Sequence, residues 1–245
     1  AILLLQPYEW GRAIYAMINS EYVPSTGHFI PYFELAQEVT SNGSFFEVLR
    51  SNITDGQMYS NIWQVENGRL FQTAALFMFG MLLGRRKYFM KSEESLRFWK
   101  KMLTGAILAF IPLYCLKTFI PALITNPSIM VPYKIAVPSY ANFAFMVILV
   151  SVFTLLWFKK DTGYNWQSLL IPYGRMSLTN YISQSIMGVI IYYGFGLAMY
   201  KYAGATASLL IALLIFTVQL IFSRWWLARH KQGPLEFLWR KGTWI

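Results

Sequence analysis

Runs of apolar residues near the length needed to cross a hydrocarbon core constrain this chain more than any other feature. A spanning helix takes about 20 mostly apolar residues, because in lipid every backbone amide must be paired within its own segment. About five runs qualify: 70–84, extended backwards through Ile62-Trp63, then 102–124, 140–158, 176–200 and 206–222. The first is the shortest in apolar count. Composition agrees, with 56% apolar and 13% charged residues, about half the charge of a soluble domain. The expected fold is all-α, a polytopic transmembrane helix bundle. Ala1-Ile2-Leu3-Leu4-Leu5 is too short to span and lacks the basic stretch of a signal peptide, so residues 1–5 read as the end of a truncated upstream helix. Residues 6–61 then form an extracytoplasmic loop region, and 62–245 the membrane bundle with a C-terminal interfacial helix.

A net charge of +10 would suit nucleic acid if it were gathered on one face. It instead flanks the apolar runs. Arg85, Arg86, Lys87, Lys91, Arg97, Lys100 and Lys101 follow the first run, and Lys159, Lys160 and Arg175 follow the third. Arg224, Arg229, Lys231, Arg240 and Lys241 follow the fifth, while the intervening loops hold only Lys134 and Lys201. Lys and Arg are retained on the cytoplasmic side, so this alternation predicts a multi-pass membrane protein with a cytoplasmic C-terminus. Its expected partners are the bilayer and anionic lipids, not nucleic acid, together with upstream helices of the same protein. Trp99, Trp157, Trp166, Trp225 and Trp226 fall near run ends, as interfacial aromatics do. Cys115 is the only cysteine and lies in an apolar run, which excludes an intrachain disulfide and suggests a packed thiol.

The region before the first run is about sixty residues of acidic and apolar residues broken by Pro24, Gly27, Pro31, Asn42-Gly43 and Asp55-Gly56. Its length exceeds an ordinary connection, and shorter helix-like pieces within it suit lying on the membrane or capping a cavity. His28 sits in a turn-like stretch there and is the one candidate general base, though no triad or metal motif accompanies it. There is likewise no Walker loop, dinucleotide fingerprint, HExxH or serine-hydrolase elbow.

Chemistry concentrates at the fourth run. Ser177, Asn180 and Gln184 follow i, i+3, i+7 spacing and share one helix face. Such a stripe serves either interhelical hydrogen bonding or the lining of a wet pocket. Just before it, Arg175 stands at a helix start, whose free amides and guanidinium suit the phosphate of a lipid headgroup or of a phosphorylated ligand. After the last run, Gly233-Pro234-Leu235-Glu236-Phe237-Leu238-Trp239-Arg240 reads as a short interfacial helix with Pro234 at its first position and an i, i+4 pair between Glu236 and Arg240. It either anchors the chain or closes one end of a cavity.

Gly174-Arg175-Met176-Ser177-Leu178-Thr179-Asn180-Tyr181, Gln184-Ser185, Tyr193-Gly194-Phe195-Gly196-Leu197 and the Gly233–Arg240 segment, in this order, resemble the C-terminal signature of the YeiB-like family of bacterial inner-membrane proteins, a domain of unknown function. The resemblance runs over about residues 85–244. It implies a distant similarity to membrane acyltransferases, which pass an acyl group from cytoplasmic acyl-CoA to an extracytoplasmic acceptor. In that wider group an acidic-Arg-Gly motif on N-terminal helices carries much of the acceptor site, and this chain lacks it. The residues that match the signature and bear on a site are Arg175, Thr179, Asn180, Gln184, Gly233, Pro234, Glu236 and Arg240. An acyltransferase using acyl-CoA is thus the expectation. A transporter or flippase, or a non-catalytic scaffold, is the alternative.

Overall fold

The computed structural model describes residues 6–19, 27–159 and 166–243. The expected helix end at 1–5, residues 24–26 of the His28 turn and the Trp166 side chain lie outside the described residues. Eleven α-helices follow one another among the described residues: α1 Pro7–Ile18, α2 Ile30–Asn42, α3 Phe45–Ile53, α4 Asp55–Glu66, α5 Arg69–Arg85, α6 Glu93–Phe119, α7 Pro127–Phe158, α8 Trp166–Arg175, α9 Ser177–Tyr192, α10 Ala205–Leu227 and α11 Pro234–Thr243. Several starts are written locally. Ser44 and Glu47 form a reciprocal capping box on α3, Ser92 caps α6 through the Ser95 amide, and Asn126 caps α7 through that of Ser128.

Three helical stretches are long and apolar enough to cross a membrane: Glu93–Ala122, Ser128–Phe158 and Ala205–Leu227. They contain the third and fifth apolar runs whole and the second up to Ala122. α5 and α9, with 17 and 16 residues, fall short of the ~20 residues of a full crossing. The fourth run was expected to continue to residue 200, but α9 ends at Tyr192. There the backbone turns through Tyr193-Gly194-Phe195-Gly196, and the Gly194 amide donates to the Thr40 carbonyl of α2 at 2.9 Å.

The chain divides into two compact units, residues 1–31 with 58–161, and 32–57 with 162–245. In the first, α6 packs along α7 and α1 packs on α7. Leu83, Trp99 and Phe158 form its apolar centre with Phe79, Phe98 and Met102 around them. Trp99, expected at an interface, is instead 2% exposed, and its indole donates to the Tyr88 carbonyl at 2.8 Å. Cys115 is exposed on α6 rather than packed. In the second unit α8 packs on α10, and α9 contacts α8, α10 and α11.

Away from that centre, both units carry many small or polar residues inside and large apolar ones outside. Ala136, Ser139, Ala141 and Ser151 are buried on α7, and Asn180, Gln219 and Ser223 on α9 and α10, whereas Leu108, Ile111, Leu209 and Leu214 are exposed. Hydrocarbon solvent produces this pattern: apolar surface gains nothing by hiding from lipid, while small residues allow close helix approach and polar ones bond across it.

Candidate functional site

The second unit gathers its polar side chains at the start of α9. Met176 alone separates α8 from α9 and is fully buried. α9 has no local side-chain cap, and its first amides are satisfied from α11. Glu236 Oε1 accepts from the Leu178 and Thr179 amides at 2.8 and 3.1 Å, and Oε2 accepts from the Thr179 hydroxyl at 2.5 Å. Thr179 Oγ1 in turn accepts from the Leu235 amide at 3.2 Å. Gly233 is required where the carboxylate approaches, because a Cβ there would collide with Glu236 and meet Thr179 Oγ1 at 3.0 Å. The carboxylate sits at the positive end of the α9 dipole. Burial would push the Glu236 carboxyl up, but the Thr179 hydroxyl and the α9 amides outweigh it and hold it below its ordinary value.

The latch changes two expectations. Glu236 does not pair with Arg240 at i, i+4: the ion pairs among the described residues are Glu9–Arg12, His28–Glu66 and Glu93–Arg97. The α9 amides foreseen as a phosphate dock already hold a carboxylate. The cations remain. Arg175 donates to the Lys231 carbonyl at 2.7 Å, tying the end of α8 to the loop before α11. Arg175, Lys231 and Arg240, with Leu178, Gln232, Glu236 and Trp239, line an open groove of about 680 Å³. Three cations thus face one carboxylate whose two oxygens are engaged. Such a groove suits an anionic ligand with several oxygens, because guanidinium groups bind phosphate by paired hydrogen bonds.

The Ser177, Asn180 and Gln184 stripe divides. Ser177 and Gln184 are exposed, while Asn180 is 2% exposed and centres a seam to α10. Its Nδ2 donates to the Tyr173 carbonyl and to Ser223 Oγ, both at 3.0 Å. Gln219 Nε2 donates to the Asn180 carbonyl at 2.7 Å and to Ser183 Oγ at 2.9 Å. Gln219 and Ser223 escape a reading by sequence alone. Their signal is present there: two polar residues four apart on one face of the mostly apolar α10.

His28 belongs to the first unit. Its Nδ1 lies 2.6 Å from Glu66 Oε1, and Glu66 also accepts the Gly27 and His28 amides at 3.0 and 3.1 Å. Glu66, nearly forty residues on, orients its ring. The imidazole is 63% exposed and the carboxylate 12%.

Comparison with known proteins supplies a family and no activity. The family model described as "Protein of unknown function (DUF418)" matches residues 83–245, about two thirds of the chain. The chain is 42% identical over 72 residues to the uncharacterized protein YxaH of Bacillus subtilis, covering 29% of this chain and 18% of that one. It is 41% identical over 91 residues to an uncharacterized 39.9 kDa protein in the amylase 3′ region of Bacillus acidopullulyticus, covering 37% and 26%. Against the uncharacterized YeiB of Escherichia coli it is 36% identical over 70 residues, covering 29% and 18%. Each alignment thus spans about a quarter or less of the relative's length. No solved structure matches. Arg175, Thr179, Asn180, Glu236 and Arg240 all fall within the matched region, and the chain belongs to the DUF418 family of proteins of unknown function.

Proposed function

We propose that this chain is part of a bacterial inner-membrane acyltransferase that takes the phosphate-bearing end of cytoplasmic acyl-CoA into the groove of its second unit. One observation carries this: Arg175, Lys231 and Arg240 converge on one groove whose carboxylate is committed to capping α9. The groove follows α10, after which basic residues accumulate, as they do on the cytoplasmic side. Arg175 and Arg240 bind phosphate oxygens, and the Asn180–Gln219–Ser223 seam holds α9 and α10 as one support for them.

An acceptor hydroxyl or amine attacks the thioester carbonyl and gives up its proton, which ends on the departing thiolate. The new acyl bond forms, the carbon–sulfur bond breaks, and the thiol leaves protonated.

Full-length protein in liposomes, given acyl-CoA labelled in the acyl group and an extract of extracytoplasmic sugars, tests this. Loss of thioester with label appearing on an acceptor, reduced about tenfold or more by Arg175→Ala, is the expected result. Label crossing with its thioester intact would instead assign the protein to transport.

A further inference from the structure

The groove of the second unit is lined by one large side chain that phosphate binding does not use, Trp239. Glu236, Trp239 and Arg240 stand at i, i+3 and i+4 on α11 and so share one face of that helix. The bonds of Glu236 to the Leu178 and Thr179 amides turn this face toward the start of α9. Trp239 and Arg240 thereby line the same groove as Arg175 and Lys231, and Leu178 adds apolar surface from α9.

Two tryptophans at the end of α10 are already engaged. Trp225 lies beneath the Arg229 guanidinium at 4.8 Å, and Trp226 stacks on the His230 ring at 4.1 Å while its indole donates to the Gln232 carbonyl at 3.0 Å. The Trp239 indole has neither a ring contact nor a hydrogen bond among the described residues, and Trp239 is 69% exposed. An open indole face beside three cations offers two kinds of contact at once: paired hydrogen bonds for phosphate oxygens, and a flat π-surface on which a base can stack. A lipid headgroup or a bare phosphate uses the cations alone. A nucleotide uses both.

We propose that Trp239 stacks on the nucleobase of the ligand whose phosphates Arg175 and Arg240 hold, so that the groove recognises a nucleotide. The inference rests on the phosphate reading of this groove and narrows it. The acyl donor is then a thioester that carries a base, as coenzyme A does, and not a phosphopantetheine arm without one, as on a carrier protein. Because Trp239 is mostly exposed, its truncation removes little buried packing, and its role is to select the ligand.

Full-length protein in neutral-lipid nanodiscs, loaded with a non-hydrolysable acyl-CoA thioether and challenged with ADP or with inorganic pyrophosphate, tests the assignment. The two competitors share a diphosphate and differ in the nucleoside. ADP should displace the thioether at a concentration lower by about tenfold or more. Trp239→Ala should weaken thioether binding by a similar factor and bring ADP level with pyrophosphate, while Trp239→Phe, which keeps a ring, should retain most of the affinity. Equal displacement by ADP and pyrophosphate, with Arg175→Ala still weakening the thioether, would overturn the stacking, keep the phosphate reading and leave Trp239 as an interfacial aromatic. Failure of the thioether to bind the unaltered protein would overturn both. The comparison of competitors uses the unaltered protein, so it decides the matter even where Trp239→Ala fails to fold.

Discussion

Replacing Glu236 by Ala strips the start of α9 of its carboxylate and returns the Leu178 and Thr179 amides and the Thr179 hydroxyl to water. A lost helix cap costs about 0.5–2 kcal/mol, and a hydrogen bond to a charged group is worth about 1.5–3 kcal/mol. Water reaches the partly exposed site and recovers some of this, so a loss of about 2 kcal/mol is expected. It should fall on α11 and the first turn of α9, since the latch joins those two elements. Amide exchange read by mass spectrometry on the full-length protein measures it locally. About 2 kcal/mol corresponds to exchange roughly 30-fold faster at Leu178 and Thr179, with the centre of α10 unchanged. The lowered Glu236 pKa adds a pH arm. With the folded value below the ordinary 4.5, the carboxylate's contribution is fully present above 4.5 and disappears as pH falls through the lower folded value. Unchanged exchange at both amides in Glu236→Ala would refute the latch.

Gly233→Ala forces a methyl group into the Glu236 carboxylate and should reproduce the Glu236→Ala exchange pattern without removing any polar atom. Asn180→Ala breaks the side-chain bonds to Tyr173 and Ser223. Interhelical bonds in membranes average about 0.6 kcal/mol and reach about 1.7, so a loss near 1 kcal/mol in a reversible denaturation assay is expected, and no loss would contradict the seam. Trp99→Phe leaves the Tyr88 carbonyl without its indole donor and should cost about 1–3 kcal/mol by the same assay. Glu66→Ala releases three bonds to the Gly27-His28 turn and should speed exchange at those two amides, leaving the denaturation midpoint near that of the unaltered protein.

The helical class and the three helices long and apolar enough to cross a membrane were legible because apolar run length is set directly by bilayer thickness. The end of α9 was not, since nothing local marks that the Gly194 amide bonds to Thr40 in a helix far earlier in the chain. Arg175, Thr179, Asn180 and Glu236 were legible as a set, but their roles were not. A carboxylate four residues before an arginine on one helix predicts a local pair, and the distant α9 start outcompeted it by offering two amides and a hydroxyl. The Ser177–Asn180–Gln184 stripe failed for a related reason: spacing defines a face, but only the neighbouring α10, with Gln219 and Ser223, decides which part of that face is buried. Glu66 was out of reach because the pairing of His28 with it depends on tertiary folding alone.

The central claim, that the second unit's groove binds phosphate, is tested most directly by titrating full-length protein in neutral-lipid nanodiscs with a non-hydrolysable acyl-CoA thioether. Each guanidinium–phosphate contact is worth about 1.5–3 kcal/mol, so Arg175→Ala and Arg240→Ala should each weaken binding by roughly tenfold or more. Removing the ligand's phosphates should weaken it further. Affinity unchanged by Arg175→Ala, or equal for the ligand with and without its phosphates, would contradict the account.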